Sequence, residues 1–346
     1  MMRSQQLTVT RVGPPESMEL RTSQVAPPAP GQAVVRVQAA GVSRGDILLR
    51  VGLIPGGPKP PFVPGYDVAG VVEQVGEGVG DLVPGQPVVA LVRQGGYSER
   101  LTVPAERLVP RPAGAGPVES AAVALNYFVA YQMLHRVAGL AAGDRVLVHG
   151  ASGGVGIALL ELSRLAGIEC HGSASAAKQE LVRRFGGHPF DYRDQDFREV
   201  VAGLPGGAVD AVFDAVGGWR HFVRSYRVLR RGGILVAYGE SAALAGGKAS
   251  KLAGGLGYLV GIALPKLLPD GRRTVFYSAW SLEKRQPRAY REDLAAVLRL
   301  LADGAIEPII AKTMPLERAA AAQRLLEEGS VAGKLVLVTD PEGSQR

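Results

Sequence analysis

The sequence predicts an α/β protein in two parts: a doubly wound parallel-sheet domain and a second, mostly antiparallel β domain. Three observations carry this. From Val118 onward, helix and strand patterns alternate, as a parallel sheet with crossover helices requires. Before about Pro117 the chain is a series of short β-type runs broken by Gly and Pro, the texture of an irregular antiparallel domain. A strand, a glycine-rich turn and a helix follow one another directly at 146–166. With 346 residues, 47% apolar and 21% charged, the chain is long and apolar enough to bury two cores.

In the first part, residues 33–39, 69–75, 87–91 and 98–103 read as strands. The second part, 118–287, opens with a helix over 118–134. A strand at 145–149 leads into the glycine turn and the helix 157–166. A strand at 169–172, a helix at 176–185 and a strand at 208–214 follow, then a helix at 219–229 and a strand at 233–238. A long stretch separates Gly239 from the next strand at 273–278. A structureless loop of that length would be unusual, so a helix is expected at about 255–268. The helix 290–301 carries Leu294, Val297, Leu298 and Leu301 on one face. Short strands and a helix at 316–327 then return the chain to the first domain, which is expected to comprise 1–117 and 288–346.

Composition narrows the chemistry. The net charge is +7, but Lys and Arg are scattered among acids without a like-charge block, and no nucleic-acid motif accompanies them. Cys170 is the only cysteine, which excludes an internal disulfide and a multi-cysteine zinc site. Residues 1–12 hold no apolar signal core, and the apolar stretch 257–268 is too short to span a bilayer and is interrupted by Pro265. A soluble, cytoplasmic protein without a transmembrane segment is expected.

The run Val146-Leu147-Val148-His149-Gly150-Ala151-Ser152-Gly153-Gly154-Val155-Gly156 is the strongest single signal. A helix N-terminus presents unpaired N–H groups and partial positive charge, and so receives a pyrophosphate. Gly153 and Gly154 let the backbone close on the phosphates, and Gly156 lets the helix pack on its strand. Ser152 and Val155 complete this dinucleotide turn. NAD sites usually end the second strand in an acid that holds the ribose 2′-hydroxyl. Here it ends Gly172-Ser173-Ala174-Ser175, followed by Lys178, with Tyr192 and Arg193 further on. Hydroxyls and a lysine bind a 2′-phosphate that an acid would repel, so NADPH is the expected cofactor. Tyr238 and Gly239, at the end of a later strand, are expected beside the nicotinamide.

These residues bring a family into view. The first domain carries Ala39-Ala40-Gly41-Val42-Ser43-Arg44-Gly45-Asp46, Pro61-Phe62-Val63-Pro64-Gly65-Tyr66-Asp67-Val68-Ala69-Gly70, Pro84-Gly85-Gln86-Pro87-Val88 and Gly95-Gly96-Tyr97-Ser98-Glu99. The second carries the glycine turn, Asp191-Tyr192-Arg193 and Phe213-Asp214-Ala215-Val216-Gly217-Gly218. In this the chain resembles the zinc-free quinone oxidoreductase group of the medium-chain dehydrogenase/reductase superfamily. The segment Leu125-Asn126-Tyr127-Phe128-Val129-Ala130-Tyr131, with the long insert after Gly239, is most similar to homologues of vesicle amine transport protein. The resemblance implies a GroES-like catalytic domain, a Rossmann domain, an active site in the cleft between them and a homodimer, often joined through the strand near Val275. It implies that Ser173, Lys178 and Tyr192 hold the 2′-phosphate.

The departures are informative. Zinc members have Cys where Ser43 stands and Gly-His-Glu where Gly65-Tyr66-Asp67 stands, and they insert a four-cysteine lobe for which 89–103 leaves no room. Related enoyl reductases use a tyrosine near the position of Ile54 as proton donor; this chain lacks it. Without metal, NADPH carries the reaction and the protein supplies orientation and hydrogen-bond donors to a developing oxyanion. Ser43, Tyr66, Asn126 and Tyr127 are the candidate donors; Asp46 reads as a structural acid, and His149 as a packed residue. The other histidines show no convergent spacing. Residues 249–268 are a candidate roof over an apolar substrate. The expected activity is NADPH-dependent reduction of a small apolar quinone or α,β-unsaturated carbonyl compound. Two alternatives are an NADPH-binding regulatory protein with little turnover and an enoyl reductase acting on a carrier-bound thioester.

Overall fold

The computed structural model describes residues 1–54, 56–239, 251–329 and 331–339. It divides into two compact units, Met1–Phe128 with Arg288–Arg346, and Val129–Pro287. Part of the expected substrate roof, 249–250, lies outside the described residues.

The first unit is built on a seven-stranded sheet and a separate antiparallel hairpin. The hairpin, β1 (Met2–Val9) with β2 (Met18–Val25), falls where no strand was expected; polar residues crowd it, and Ser4 and Thr8 are among its buried positions. In the sheet, β3 (Gln32–Val42) pairs antiparallel with β4 (Asp67–Val75), β6 (Arg100–Pro104) and β15 (Lys334–Val338). β4 then pairs with β5 (Pro87–Leu91) and β5 with the short β7 (Val109–Pro110), while β14 (Ile310–Pro315) runs parallel to β15. The last strand among the described residues therefore sits beside β3.

A buried ion pair spans this sheet. Lys334, which begins β15, and Asp67, which begins β4, flank β3, and Lys334 Nζ lies 2.7 Å from Asp67 Oδ2. The two meet over Gly41, where an added Cβ would lie 2.3 Å from both Asp67 Oδ2 and Lys334 Cε. Only glycine leaves room there. Arg50, fully buried at the end of α1 (Arg44–Arg50), similarly joins that helix to α10 (Ala319–Glu327): its Nε donates to Gln323 Oε1 at 2.6 Å and its guanidinium pairs with Glu327.

The second unit is a six-stranded parallel sheet. It contains β8 (Arg145–Val148), β9 (Glu169–Ala174), β10 (His188–Asp191), β11 (Val209–Asp214), β12 (Leu229–Ala237) and β13 (Arg273–Phe276), in the order β10-β9-β8-β11-β12-β13. The winding reverses between β8 and β11, and ligands of such sheets bind at the carboxyl ends of strands at that point. Leu147, Val212, Phe222, Leu235 and Ile262 fill one face of the sheet. The expected helix near 255–268 is present as one continuous helical stretch, α7 (Lys251–Tyr258) followed by tighter and looser turns through Leu267. β10 and α5 (Phe197–Ala202) are elements beyond those expected; each is too short to show a period. Among the described residues no helix is long and apolar enough to cross a membrane.

Candidate functional site

The glycine turn follows β8 directly. Gly150 has φ +73°, a conformation open to glycine, and its amide donates to Ser173 Oγ at 3.0 Å. Ala151 N donates to the Ser173 carbonyl at 3.0 Å, so the turn is fastened to the end of β9. Gly172 permits that approach: a Cβ there would lie 2.6 Å from Ala151 Cβ. Helix α3 (Gly154–Leu165) starts after Gly153, and no side chain caps it, leaving its first amides to a ligand. At Gly156 an added Cβ would lie 2.4 Å from the Gly150 carbonyl oxygen and 2.6 Å from that of Ala151. The turn can therefore lie flat against the helix only with glycine at 156. This cradle fits a dinucleotide pyrophosphate.

Past β9 the expected phosphate-binding residues separate into two sets. Ser173 is buried, and its hydroxyl accepts the Gly150 amide, so it holds the turn. Ser175, Lys178, Tyr192 and Arg193 lie nearer the surface. They are brought together by Asp191, whose role sequence reasoning missed: its Oδ2 accepts Ala176 N at 2.7 Å and its Oδ1 accepts Arg193 N at 2.9 Å. With its oxygens engaged by amides, Asp191 ties the two loops to each other. At the other end of the site, Tyr238 N donates to the Asp214 carbonyl at 3.0 Å. Gly239 lies against Ala215, where a Cβ would be 3.0 Å from the carbonyl oxygen.

His149 packs in the interior, as expected. It is buried, lies edge-on to Phe197 and His221, and has Nε2 at 3.1 Å from Ser225 Oγ. Ser225 Oγ donates to Asp214 Oδ2 at 2.9 Å, and His221 Nδ1 lies 2.7 Å from the same oxygen. Burial pushes the His149 imidazole down to about 4. Burial alone would raise the Asp214 carboxyl; the His221 hydrogen bond and the neighbouring imidazoles outweigh it and hold the group at about 2. The histidines thus do converge. His149 meets His221, and His171 stacks on His188 across paired strands. Strand order creates both pairs, which is why linear spacing does not reveal them.

In the first unit, Ser43 caps α1. Its hydroxyl accepts the Asp46 amide at 3.3 Å and donates to Asp46 Oδ2 at 2.7 Å, while the Ser43 amide donates to that same oxygen at 2.8 Å, a reciprocal capping box. Asp46 also accepts Gly65 N at 2.9 Å and the Tyr97 hydroxyl at 3.2 Å. Tyr66 belongs to this cluster: Gly45 admits its ring, since a Cβ at 45 would lie 2.8 Å from Tyr66 Cε2. Burial and the Asp46 charge raise the Tyr66 hydroxyl well above the usual tyrosine range, so it stays protonated. Asn126 and Tyr127 lie on a different element, α2 (Pro117–Tyr131); Asn126 is half-buried and Tyr127 buried.

Burial and the nearby Asp67 charge push the Asp46 carboxyl up to about 6, despite its four donors. A folded-state value above the unfolded one means that the folded chain binds the extra proton between about pH 4 and 6. Stability from this group is therefore present at low pH and lost as pH rises through 6, by at most about 3 kcal/mol. Denaturant unfolding of wild type and Asp46→Asn at pH 5 and pH 7 should show that component only in wild type. An identical pH dependence in the variant would contradict it.

The comparisons with known proteins match this architecture. A family model described as "Alcohol dehydrogenase GroES-like domain" matches residues 29–113, and one described as "Zinc-binding dehydrogenase" matches 186–337. The synaptic vesicle membrane protein VAT-1 homolog of Rattus norvegicus is 34% identical over 342 residues, covering 97% of this chain and 84% of that protein. The spectinabilin polyketide synthase system protein NorB of Streptomyces orinoci is 34% identical over 320 residues, 91% of this chain and 13% of that protein. The crystal structure of Escherichia coli quinone oxidoreductase complexed with NADPH superimposes with a TM-score of 0.83 at 26% identity, covering 96% of this chain and 99% of the other. With a GroES-like unit, a doubly wound parallel sheet and these relatives, the chain belongs to the quinone oxidoreductase and VAT-1 homologue group of the medium-chain dehydrogenase/reductase superfamily, an oxidoreductase family.

Proposed function

We propose that this protein is a zinc-independent, NADPH-dependent reductase of quinones or α,β-unsaturated carbonyl compounds. The observation that carries the reading is the cradle at Gly150–Gly156, with uncapped helix amides and no room for a side chain at 156. NADPH bound there supplies a hydride to the acceptor. Gly153, Gly154 and Gly156 seat the pyrophosphate, with Ser152 and Val155 in the same turn. Ser175, Lys178 and Tyr192 face the 2′-phosphate, and Ser173 holds the turn that receives it. Tyr238 and Gly239 border the nicotinamide. Tyr66, kept protonated, donates a hydrogen bond to the oxyanion that forms as the acceptor is reduced, with Asn126 a second donor. Ser43 orients Asp46 behind Tyr66, and Tyr127 packs in the same unit.

Zinc independence rests on side-chain chemistry. The positions that carry ligands in zinc relatives hold Ser43, committed to a helix cap, Tyr66, and Asp67, paired with Lys334. A homodimer fits β13, which is an edge strand of its sheet among the described residues. Enoyl-thioester reduction is the alternative form of the same chemistry; one relative, NorB, belongs to a polyketide synthase system.

Cofactor choice is tested at Lys178. Removing one charge-assisted contact to a phosphate costs about 1.5–3 kcal/mol. Lys178→Ala should therefore weaken NADPH binding by roughly 10- to 100-fold and leave NADH binding unchanged, measured by fluorescence titration. Equal effects on both nucleotides would remove Lys178 from the 2′-phosphate site. The reaction itself is tested with NADPH carrying deuterium at both C4 positions. Deuterium should appear at the β-carbon of a reduced enone, and its absence there would contradict hydride delivery to an activated double bond.

A further inference from the structure

We propose that His149, Asp214 and His221 form a binding site for a divalent transition-metal ion inside the second unit, with zinc or cobalt as the fitting class. The three side chains come from the carboxyl end of β8, the carboxyl end of β11 and the first turn of α6 (Trp219–Arg227), where the winding of the sheet reverses. Their ligand atoms all lie within 4.8 Å of one another. Two imidazoles and one carboxylate are a donor set that suits zinc and cobalt. Calcium and magnesium call for an all-oxygen shell.

The surroundings are those of a supported site. Asp214 is fixed through its other oxygen, Oδ1, by Val216 N at 2.9 Å and Gly217 N at 3.2 Å. Ser225 Oγ, between Asp214 Oδ2 and His149 Nε2, is within reach as a fourth ligand or an outer partner. His149 and Asp214 are buried, whereas the His221 side chain is 22% exposed and provides the path of entry. Donor atoms of a tetrahedral zinc site stand about 3.4 Å apart. The 2.7 Å contact between His221 Nδ1 and Asp214 Oδ2 thus has to open slightly, with the cation taking the place of the shared proton. The bound ion would tie β8, β11 and α6 together one residue before the glycine turn. Its existence does not depend on the reductase reading, since no step of that chemistry uses it.

The test is cobalt titration of the chelator-treated full-length protein. One equivalent of Co2+ should bind with the visible ligand-field bands of a four- or five-coordinate ion, and Zn2+ should bleach them. His221→Ala, at the most accessible ligand, should weaken uptake by at least about 100-fold. His188→Ala, which removes a histidine outside the cluster, should leave uptake unchanged. A readout that needs no variant is the melting temperature of wild type, which a saturating cation should raise. No stoichiometric uptake by wild type, uptake retained in His221→Ala, or uptake lost equally in His188→Ala would each overturn the site. An unchanged wild-type melting temperature with saturating Zn2+ would do the same.

Discussion

Gly156→Ala should abolish tight NADPH binding, with the dissociation constant rising by at least about 100-fold, or roughly 2.7 kcal/mol. The cause is steric and local. The new methyl would sit 2.4 Å from the Gly150 carbonyl oxygen, 2.6 Å from that of Ala151 and 2.7 Å from the Ala151 carbonyl carbon. All three are backbone atoms of the turn that receives the pyrophosphate, so they cannot move aside as a flexible side chain would. The turn must lift from the helix, and the amides at its start lose their common focus. Gly153→Ala serves as a comparison for stability alone, since Gly153 also seats the pyrophosphate. Its φ is −81°, which any residue adopts, and its Cβ would lie 3.3 Å from the Gly150 oxygen. The melting temperature should fall clearly for Gly156→Ala and little for Gly153→Ala. Unimpaired NADPH binding by Gly156→Ala, measured by calorimetry, would remove the turn from the cofactor site.

Lys334→Met should be the most damaging substitution for the stability of the first unit, at about 3–5 kcal/mol. Lys334 and Asp67 are both buried, and they meet 2.7 Å apart over Gly41. Burial already raises the Asp67 carboxyl above its ordinary range, with the lysine opposing it. Removing the lysine leaves a carboxylate in the core with its counter-charge gone. The double variant Lys334→Met/Asp67→Leu removes both charges and should recover most of the loss, because an apolar pair of similar volume often equals a buried ion pair. Equilibrium denaturation of the three proteins tests this. A single variant within about 1 kcal/mol of wild type, or a double variant no better than the single, would show that the pair does not hold these strands.

Much of this was legible in the sequence because it rests on local rules. Four glycines after an apolar strand, followed by a largely apolar helix, specify a phosphate turn without tertiary information. Ser43-x-x-Asp46 forms a capping box at the start of α1, a helix not expected from the sequence, where Ser43 stood only among the candidate hydrogen-bond donors. What the sequence hides is set by topology. His149, Asp214, His221 and Ser225 converge only because β8 and β11 are neighbours in the sheet. The Asp67–Lys334 pair forms only because β15 returns from the far end of the chain to lie beside β3. Asp191 holds the loop of Lys178 through backbone amides, a contact that carries no residue-type signature. The β1–β2 hairpin was overlooked because its strands are largely polar, without the clean alternation that marks a half-buried strand.

The most direct measurement is anaerobic oxidation of NADPH, followed by absorbance, with purified protein and a panel of quinones, enones and enoyl thioesters. Turnover with a quinone or an enone is expected, and markedly slower turnover when NADH replaces NADPH. NADPH that binds tightly but is oxidised by no acceptor in the panel would contradict it, and would identify the chain as a nucleotide-binding protein with little turnover.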